Sequence, residues 1–229
     1  MIRFYSYNKK RGYFPGMATI DGNIVGIENR AANANVSFHQ ADTLKRIFRR
    51  LANRSNFIDR CRNDRGSFSK EIIFMTHCYC NRFNIRACRC QSLYEKMTKI
   101  TDWKNVEINF DNNEVTSIPF TSFQEEDDCR LVIQRQERKD SGLDIFDGKY
   151  TYRCILTNDL ETSNKDIILF YNGRGSREKT YDVMNKDFGW NHLPCSFLKE
   201  NTVFLLHTAM SKKLLCLSDR FLFLLRGTN

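Results

Sequence analysis

The sequence lacks a hydrophobic segment long enough to cross a membrane. Its longest apolar stretch, from Val203 to Leu225, is interrupted by charged residues at positions 212, 213, 219 and 220, whereas a spanning helix needs about 20 apolar residues in a row. No amino-terminal signal peptide is recognisable, and the nine cysteines are odd in number, which argues against full disulfide pairing. These absences predict a soluble cytoplasmic protein in a reducing compartment, with no membrane partner.

The composition is that of a globular protein with a basic excess. Of the 229 residues, 41% are hydrophobic and 13% aromatic, and the net charge is +9. Such a charge favours an anionic partner, for example a nucleic acid. The charge is unevenly distributed: residues 36–100 carry 14 Lys and Arg against 5 Asp and Glu, and residues 101–169 carry 8 against 15. This shift predicts an acidic insertion between two basic segments.

Periodicity in the amino-terminal part predicts strands followed by helices. The predicted strands are 2–7, 13–20, 24–28, a short one around 57–61, and 83–90. Asp21-Gly22-Asn23 is a hairpin signal. Ser37 is the predicted cap of a helix with an apolar stripe from Phe38 to Leu51, and Ser67 or Ser69 is expected to begin a helix that runs to Tyr79.

The carboxy-terminal part predicts an antiparallel β region and then a helix. The expected strands are 106–110, 114–120, 130–136, 150–156 and 167–170, with a turn at 111–113, and the expected helix is 201–210. The acidic run Glu125–Asp128 and the segment around Asp147-Gly148 are interpreted as solvated loops. An antiparallel β insertion therefore lies between two segments with helices.

Asp64 is the first candidate for a functional carboxylate. It follows the short strand around Phe57 and Cys61, and α/β sheets usually place functional groups just beyond strand ends. A single aspartate in a turn is also commonly a capping residue. Both interpretations stay open at this point.

The cysteine pairs offer a possible zinc site. Cys78-Tyr-Cys80 and Cys88-Arg-Cys90 lie close to His77, but structural zinc sites more often have two to four residues between paired cysteines. We therefore favour cysteines that are small core residues on a strand, with zinc as the alternative.

The segment from Tyr171 to Lys186 is the second candidate. It follows the predicted strand 167–170 and has helical spacing. On a helical wheel Arg174, Glu178 and Asn185 fall at about 300°, 340° and 320° from Tyr171, whereas Lys186 falls at about 60°. The pattern fits either a functional face or an amphipathic surface helix with an Arg–Glu pair.

These residues resemble a known signature. Tyr171, Arg174 and Glu178 match in identity and spacing the Tyr-x2-Arg-x3-Glu-x6-Lys signature of the DDE-type transposases of bacterial insertion sequences. Asn185 takes the lysine position, and Lys186 follows one place later. The Asp64 turn and the segment from residue 5 to residue 15 also resemble the family, so the resemblance extends over nearly the whole chain.

The resemblance implies an α/β fold of RNase H-like type, with a mixed sheet flanked by helices and an inserted antiparallel β subdomain. On this basis residues 1–100 form the first part of the catalytic core, residues 101–166 the β-rich acidic insertion, and residues 167–229 the second part of the core. The family's insertion can hold a flipped base at a transposon end. For Trp103 we favour a packing role over that one.

The resemblance also implies a chemistry. Asp64 and Glu178 are expected to be catalytic and to bind Mg²⁺ or Mn²⁺ at a two-metal site for DNA cleavage and strand transfer. Tyr171, Arg174 and Lys186 are expected to contact DNA. The expected partners are the double-stranded DNA of transposon ends and target, and a second copy in a homodimer, at the bacterial nucleoid.

The first catalytic aspartate of the family has no counterpart. Residues 1–35 contain only Asp21 and Glu28 as acidic residues, and Asp21 lies in a hairpin turn. We therefore expect a truncated transposase catalytic core that is inactive alone. The alternative is a non-catalytic DNA-binding or dimerising remnant.

Overall fold

The computed structural model describes residues 12–35, 37–54, 57–88, 90–121, 129–137, 150–173 and 175–226. They form an α/β structure with two compact units, one comprising residues 1–47 and 175–229 and the other residues 48–174. In chain order the elements are β1 (Gly16–Ile20), β2 (Asn23–Glu28), α1 (Gln40–Ala52), β3 (Ile58–Asn63), a 3-10 turn (Arg65–Ser67), α2 (Lys70–Tyr79), β4 (Cys80–Arg86), α3 (Gln91–Thr98), β5 (Lys104–Ile108), β6 (Asp111–Phe120), β7 (Cys129–Glu137), β8 (Tyr150–Thr157), α4 (Asn164–Asn172), α5 (Gly175–Asp187) and α6 (Leu198–Arg226).

The first unit contains the β1–β2 hairpin. Its turn residues Asp21 and Gly22 have φ angles of 48° and 79°, as a two-residue hairpin turn requires. The predicted turn is thus confirmed. The predicted strand 2–7 lies outside the described residues.

Buried side chains of α5, of α6 and of the segment between them form the core of the first unit. Met184, Trp190 and Leu205 are buried together, and residues of the β1–β2 hairpin pack against them. The Trp190 indole donates a hydrogen bond of 2.9 Å to Thr208 Oγ1, so this large ring is buried with its polar group paired. Helix α6 begins close to the predicted position but continues to Arg226. No helix in the described part of the chain has the length and apolar character needed to span a membrane.

A six-stranded mixed sheet with the order β3-β4-β8-β7-β6-β5 organises the described part of the second unit. Only β3 and β4 are parallel, and α2 connects them; the other neighbouring strands are antiparallel. The predicted α/β class with a mixed sheet and flanking helices is therefore confirmed. Strands β5 to β8 extend the same sheet as β3 and β4, and the predicted domain boundaries at residues 101 and 167 stay predictions.

Helices pack on both faces of this sheet. One face, here called the α2–α3 face, carries the larger apolar core, formed by Phe83, Ile85, Leu131, Ile133 and Leu156 with Ile73, Leu93 and Met97 from the helices. The opposite face, called the α4 face, carries Val115, Val132 and Ile155 against Ile167, Ile168 and Tyr171. The alternation of apolar residues along β7 and β8 divides them between the two faces.

The segment 167–170 was predicted to be a strand, and that prediction is wrong. It lies in α4, whose cap is Ser163: the Ser163 hydroxyl accepts a hydrogen bond from the Asp166 amide at 3.2 Å. Ile167, Ile168 and Tyr171 point to one buried stripe at helical spacing. A run of four apolar residues is compatible with either element, and the cap together with the stripe selects the helix.

The predicted turn at residues 111–113 is also wrong. The β5–β6 turn is formed by Asn109 and Phe110, with φ angles of 53° and 66°, and Asp111 to Asn113 belong to β6. Asn113 tolerates the strand because its buried amide is paired: the Gln134 amide donates to its Oδ1 at 2.7 Å.

Two helix predictions near the amino terminus need correction. Helix α1 begins at Gln40, and the Ser37 hydroxyl bonds to the Asn35 side chain instead of capping the helix; Phe38 is exposed and does not belong to a buried stripe. The predicted strand 83–90 ends at Arg86. Cys90 then precedes α3, a helix that was not predicted. The loops at 125–128 and 147–148 lie outside the described residues.

A buried aspartate fixes the connection between β8 and α4. Asp159 Oδ1 accepts hydrogen bonds from the amides of Glu161 and Thr162, and its Oδ2 accepts one from the Thr162 hydroxyl at 2.7 Å. Arg82 approaches the same carboxylate at 3.3 Å. Burial alone would raise the pKa of Asp159, but the hydrogen bonds and the charge of Arg82 outweigh burial and lower the pKa.

Replacement of Asp159 by asparagine is expected to lower the free energy of unfolding by about 2 kcal/mol at neutral pH, because charge-assisted hydrogen bonds are lost. The folded pKa of Asp159 lies below the unfolded value. Its contribution is therefore present above about pH 4 and disappears as the pH falls through the folded pKa. Urea unfolding of both proteins at neutral and acidic pH measures this difference.

The control is Glu161→Gln. Glu161 pairs with the same Arg82 but its side chain is 86% exposed, so its loss should change stability little. Equal losses for Asp159→Asn and Glu161→Gln, or a loss for Asp159→Asn that does not vary with pH, would contradict the expectation.

Candidate functional site at the end of strand β3

Asp64 lies directly after β3 and caps the 3-10 turn that follows. Its Oδ1 accepts a hydrogen bond of 3.1 Å from the Gly66 amide, and the Ser67 amide donates to its carbonyl at 3.1 Å. The side chain is half-buried. The capping interpretation is therefore confirmed. A carboxylate has about four lone-pair sites, so the cap is compatible with a further role for Asp64, which stays a prediction.

The local sequence explains the position of this turn. Ser69 caps α2 by accepting a hydrogen bond from the Ile72 amide at 3.4 Å, which confirms one of the two predicted starts. Strands β3 and β4 are parallel, so their carboxyl ends meet at the same edge of the sheet. There the Cys88 thiol lies 3.8 Å from the Arg65 carbonyl oxygen. The end of β4 thus lies beside the Asp64 turn.

The carboxyl end of α4 packs against β3. Arg62 donates a hydrogen bond of 2.6 Å to the Phe170 carbonyl, and the guanidinium groups of Arg60 and Arg62 lie 5.5 and 5.0 Å from the centre of the Phe170 ring. These cation–π contacts and the hydrogen bond attach the helix end to the strand that leads to Asp64.

Gly173 allows this close approach. A Cβ atom at this position would lie 2.7 Å from Arg62 Nη1 and 3.3 Å from the Phe170 carbonyl oxygen. Its backbone, with φ −56°, is ordinary for any residue. The requirement for glycine here is therefore steric.

The wheel through Tyr171–Lys186 assumed one continuous helix, and that assumption is wrong. Helix α4 ends at Asn172, and α5 begins at Gly175; the close contact of Gly173 with Arg62 lies at this break. Tyr171 is 4% exposed and packs in the core of the α4 face. Its predicted contact with DNA stays a prediction.

The other candidates of the segment lie in or beside α5. Arg174 is outside the described residues, and Glu178 belongs to α5, although its side chain is outside the described part of the chain. Lys186 is exposed in the last turn of α5. Glu178 and Asn185 are seven residues apart on this helix, which leaves them about 20° apart on its wheel. Asp64 belongs to the second unit and Glu178 to the first.

Cys88 and Cys90, predicted to be core residues of a strand, follow the end of β4, and α2 ends between Cys78 and Cys80. Cys88 is half-buried and Cys90 is exposed, so the prediction of core residues is wrong for this pair; Cys78 is exposed and Cys80 is buried. A hydrogen bond with the Cys61 thiol, together with burial, raises the pKa of Cys80. Across the residues that the structure describes, no three His, Cys, Asp or Glu side chains gather in a group that could hold a metal ion.

Trp103 has the packing role that the sequence favoured. Its indole donates to the Ile100 carbonyl at 2.8 Å, and the Arg135 guanidinium lies 3.9 Å from its ring centre. Arg135 is fixed by two hydrogen bonds to Glu114, of 2.7 and 3.1 Å, and this pairing raises its pKa. One face of the indole is therefore covered by a cation held in place.

The sequence alone did not indicate the contact of Arg60 and Arg62 with Phe170 on the strand that ends before Asp64. The sequence does indicate that Arg60 and Arg62 share a face, because they are two residues apart in a strand. The contact with Phe170 was not predictable from the sequence, because the apolar run 167–170 is compatible with a strand as well as with a helix.

Replacement of Gly173 by alanine is expected to lower the free energy of unfolding by about 1–2 kcal/mol, because the new methyl group displaces Arg62 from the Phe170 carbonyl and breaks a charge-assisted hydrogen bond. Gly175→Ala is the matched control, since among the described residues a Cβ atom at position 175 would meet nothing within 4 Å beyond its chain neighbours and its own helix backbone. There alanine should be neutral or slightly stabilising. Denaturant unfolding measures the free energy of unfolding of both variants. Equal changes in the two variants would contradict a stabilising role for the hydrogen bond between Arg62 and the Phe170 carbonyl.

Comparison with models of known protein families gives no match to this chain, and comparison with curated proteins gives no significant similarity. A functional proposal therefore depends on the residues and contacts of the chain.

Proposed function

We propose that the chain is a transposase catalytic core that cleaves and joins DNA with the help of divalent metal ions. The observation that carries the proposal is the position of Asp64, directly beyond β3 in a parallel β3–α2–β4 unit. In sequence, antiparallel strands and then the Tyr171, Arg174 and Glu178 signature follow this unit. On the basis of this order we propose an RNase H-like core, with an inserted antiparallel β region at residues 101–166.

The residues fit magnesium or manganese in the kind of donor they offer. Asp64 is a half-buried carboxylate at a strand end, whose Oδ1 accepts the hydrogen bond of the Gly66 amide, and Glu178 would supply a second carboxylate. Hard divalent ions prefer such oxygen ligands. When bound, the ions would activate the attacking hydroxyl group and stabilise the leaving oxygen.

The protein's own residues would position the DNA. In this proposal Arg174 and Lys186 contact phosphate groups through charge-assisted hydrogen bonds, whereas Tyr171 is buried in the core of the α4 face and would position the start of the signature segment. Arg62 holds the end of α4 against β3, so it would fix the start of the signature segment relative to the strand that ends at Asp64. Duplex DNA and a second copy of the chain are the proposed partners.

A second function is favoured by the cap at Asp64. The carboxylate already has a structural task, since it accepts the hydrogen bond of the Gly66 amide. The chain would then bind DNA, or pair with an intact transposase, without cutting. The net charge of +9 supports DNA binding in either case.

Cleavage of a labelled DNA duplex by the purified chain in the presence of Mn²⁺ distinguishes the two functions. For the catalytic core, Asp64→Asn and Glu178→Gln should each lower the cleavage rate by on the order of 10²-fold or more. Asparagine retains an acceptor for the Gly66 amide, so the Asp64 variant should remain folded.

Asp59→Asn is the control, because Asp59 lies at the other end of β3 and its side chain is 77% exposed; its cleavage rate should equal that of the wild type. Cleavage that survives Glu178→Gln contradicts the catalytic proposal. So does the absence of both cleavage and Mn²⁺ binding in calorimetry, which is the result expected for the remnant.

A further inference from the structure

Arginine side chains cluster on the α4 face of β3, β4 and β8. Arg60 pairs with Arg82 across the parallel ladder, Arg62 with Asn84, and Arg86 with Ile155 on β8. Residues opposite each other in a ladder point to the same face. Ile155 belongs to the core of the α4 face, so these arginines share that face, and Arg153, two residues before Ile155, shares it as well.

The positive charge of this cluster is only partly compensated. Arg82 pairs with Asp159 and Glu161. Arg60 approaches Asp59 at 3.8 Å, with both side chains largely exposed, a pair that contributes little. Among the described residues neither Arg86 nor Arg153 makes an ion pair. Since like charges opposite each other destabilise a sheet, an anionic ligand would stabilise this face.

The residues between the arginines are buried, whereas two of the arginines are not. Asn84 and Thr157 lie opposite each other between β4 and β8 on this face and are buried, as is Ile155 opposite Arg86, so a ligand would contact the guanidinium groups and not the strands beneath them. Arg153 is exposed, and Arg86 is half-buried. A ligand could therefore reach both guanidinium groups from solvent.

The spacing of the arginines suits a ligand with repeated charges. Arginines two residues apart on a strand are about 6.6 Å apart, and neighbouring strands are about 4.8 Å apart. Such a row extends over three strands and does not converge on a point, as a site for one phosphate ion would. Guanidinium groups bind phosphate oxygens in bidentate geometry. A phosphodiester backbone provides repeated anions of this kind.

We infer that the α4 face of β3, β4 and β8 binds the phosphate backbone of a nucleic acid through Arg60, Arg62, Arg86 and Arg153. The inference rests on the proposed function only in the choice of DNA as the polyanion. It requires neither cleavage nor a metal ion. Binding at this face is independent of sequence, because no base edge needs to be contacted.

The test measures binding of a fluorescein-labelled DNA duplex by anisotropy, without divalent metal, at several salt concentrations between about 50 and 200 mM. The variant is Arg86→Gln with Arg153→Gln, which removes the two arginines without ion pairs. The expected result is an affinity lower by on the order of 10-fold and a slope of log K against log salt smaller in magnitude by about 2, since each phosphate contact contributes about 0.9.

The matched control is Lys96→Gln with Lys99→Gln, which removes two exposed cations at α3, on the other face of the same sheet. This control should retain almost all of the wild-type slope and affinity, and circular dichroism should show that both variants are folded. The same slope in variant and control, or no binding by the wild type, overturns the inference. Competition by polyglutamate as strong as by unlabelled DNA overturns the assignment to nucleic acid.

Asp64→Asn separates this inference from the proposed function. In the Asp64→Asn background, the Arg86 and Arg153 substitutions should reduce the slope by the same amount as in the wild type, whether or not the wild type cleaves. Loss of cleavage in Asp64→Asn, together with this reduction in slope, supports both proposals. Absence of both cleavage and Mn²⁺ binding in every protein, with the expected change in slope, supports the binding face and rejects the catalytic core.

Discussion

The hydrogen bonds of Asp159 hold the connection on which the second unit depends. The carboxylate ties the β8–α4 loop to Arg82 of β4, and Arg130 of β7 donates to the Asp159 carbonyl at 2.8 Å. Burial lowers the pKa of Arg130, and the nearby Asp159 charge opposes that shift. The loop is therefore attached to two strands before α4 begins, which determines where the helix crosses the sheet.

Helix α4 contacts its face of the sheet in two regions that are stabilised by different interactions. Over β6 and β7 the helix buries Val115 and Val132, and apolar burial stabilises the contact. At β3 only the helix end is in contact, through Phe170 and the guanidinium groups of Arg60 and Arg62. Cation–π contacts and charged hydrogen bonds replace apolar packing there. The same helix thus closes a core and borders a basic surface.

The same few residues at the end of β3 contribute to stability and to the proposed function. Asp64 caps a turn, and Gly173 permits the approach of Arg62. Substitutions at such positions change folding and function together. Two comparisons separate the effect on folding from the effect on function. Asp64→Asn removes the carboxylate charge and retains the cap. Gly173→Ala and Gly175→Ala differ in the contact with Arg62.

Local signals in the sequence determined the elements whose causes are local: the Asp21-Gly22 turn, the Ser69 cap of α2 and the alternating strands β7 and β8. The prediction that Asp64 follows a strand is also confirmed, because β3 ends at Asn63. Segment 167–170 was ambiguous, because four apolar residues fit a strand or a helix. The Ser163 cap favours the helix locally, and the tertiary structure decided it, since the apolar face of the sheet that receives Ile167 and Ile168 is formed by other segments of the chain. The arginine face depended on pairing between β4 and β8, strands distant in sequence, so no local pattern could reveal it.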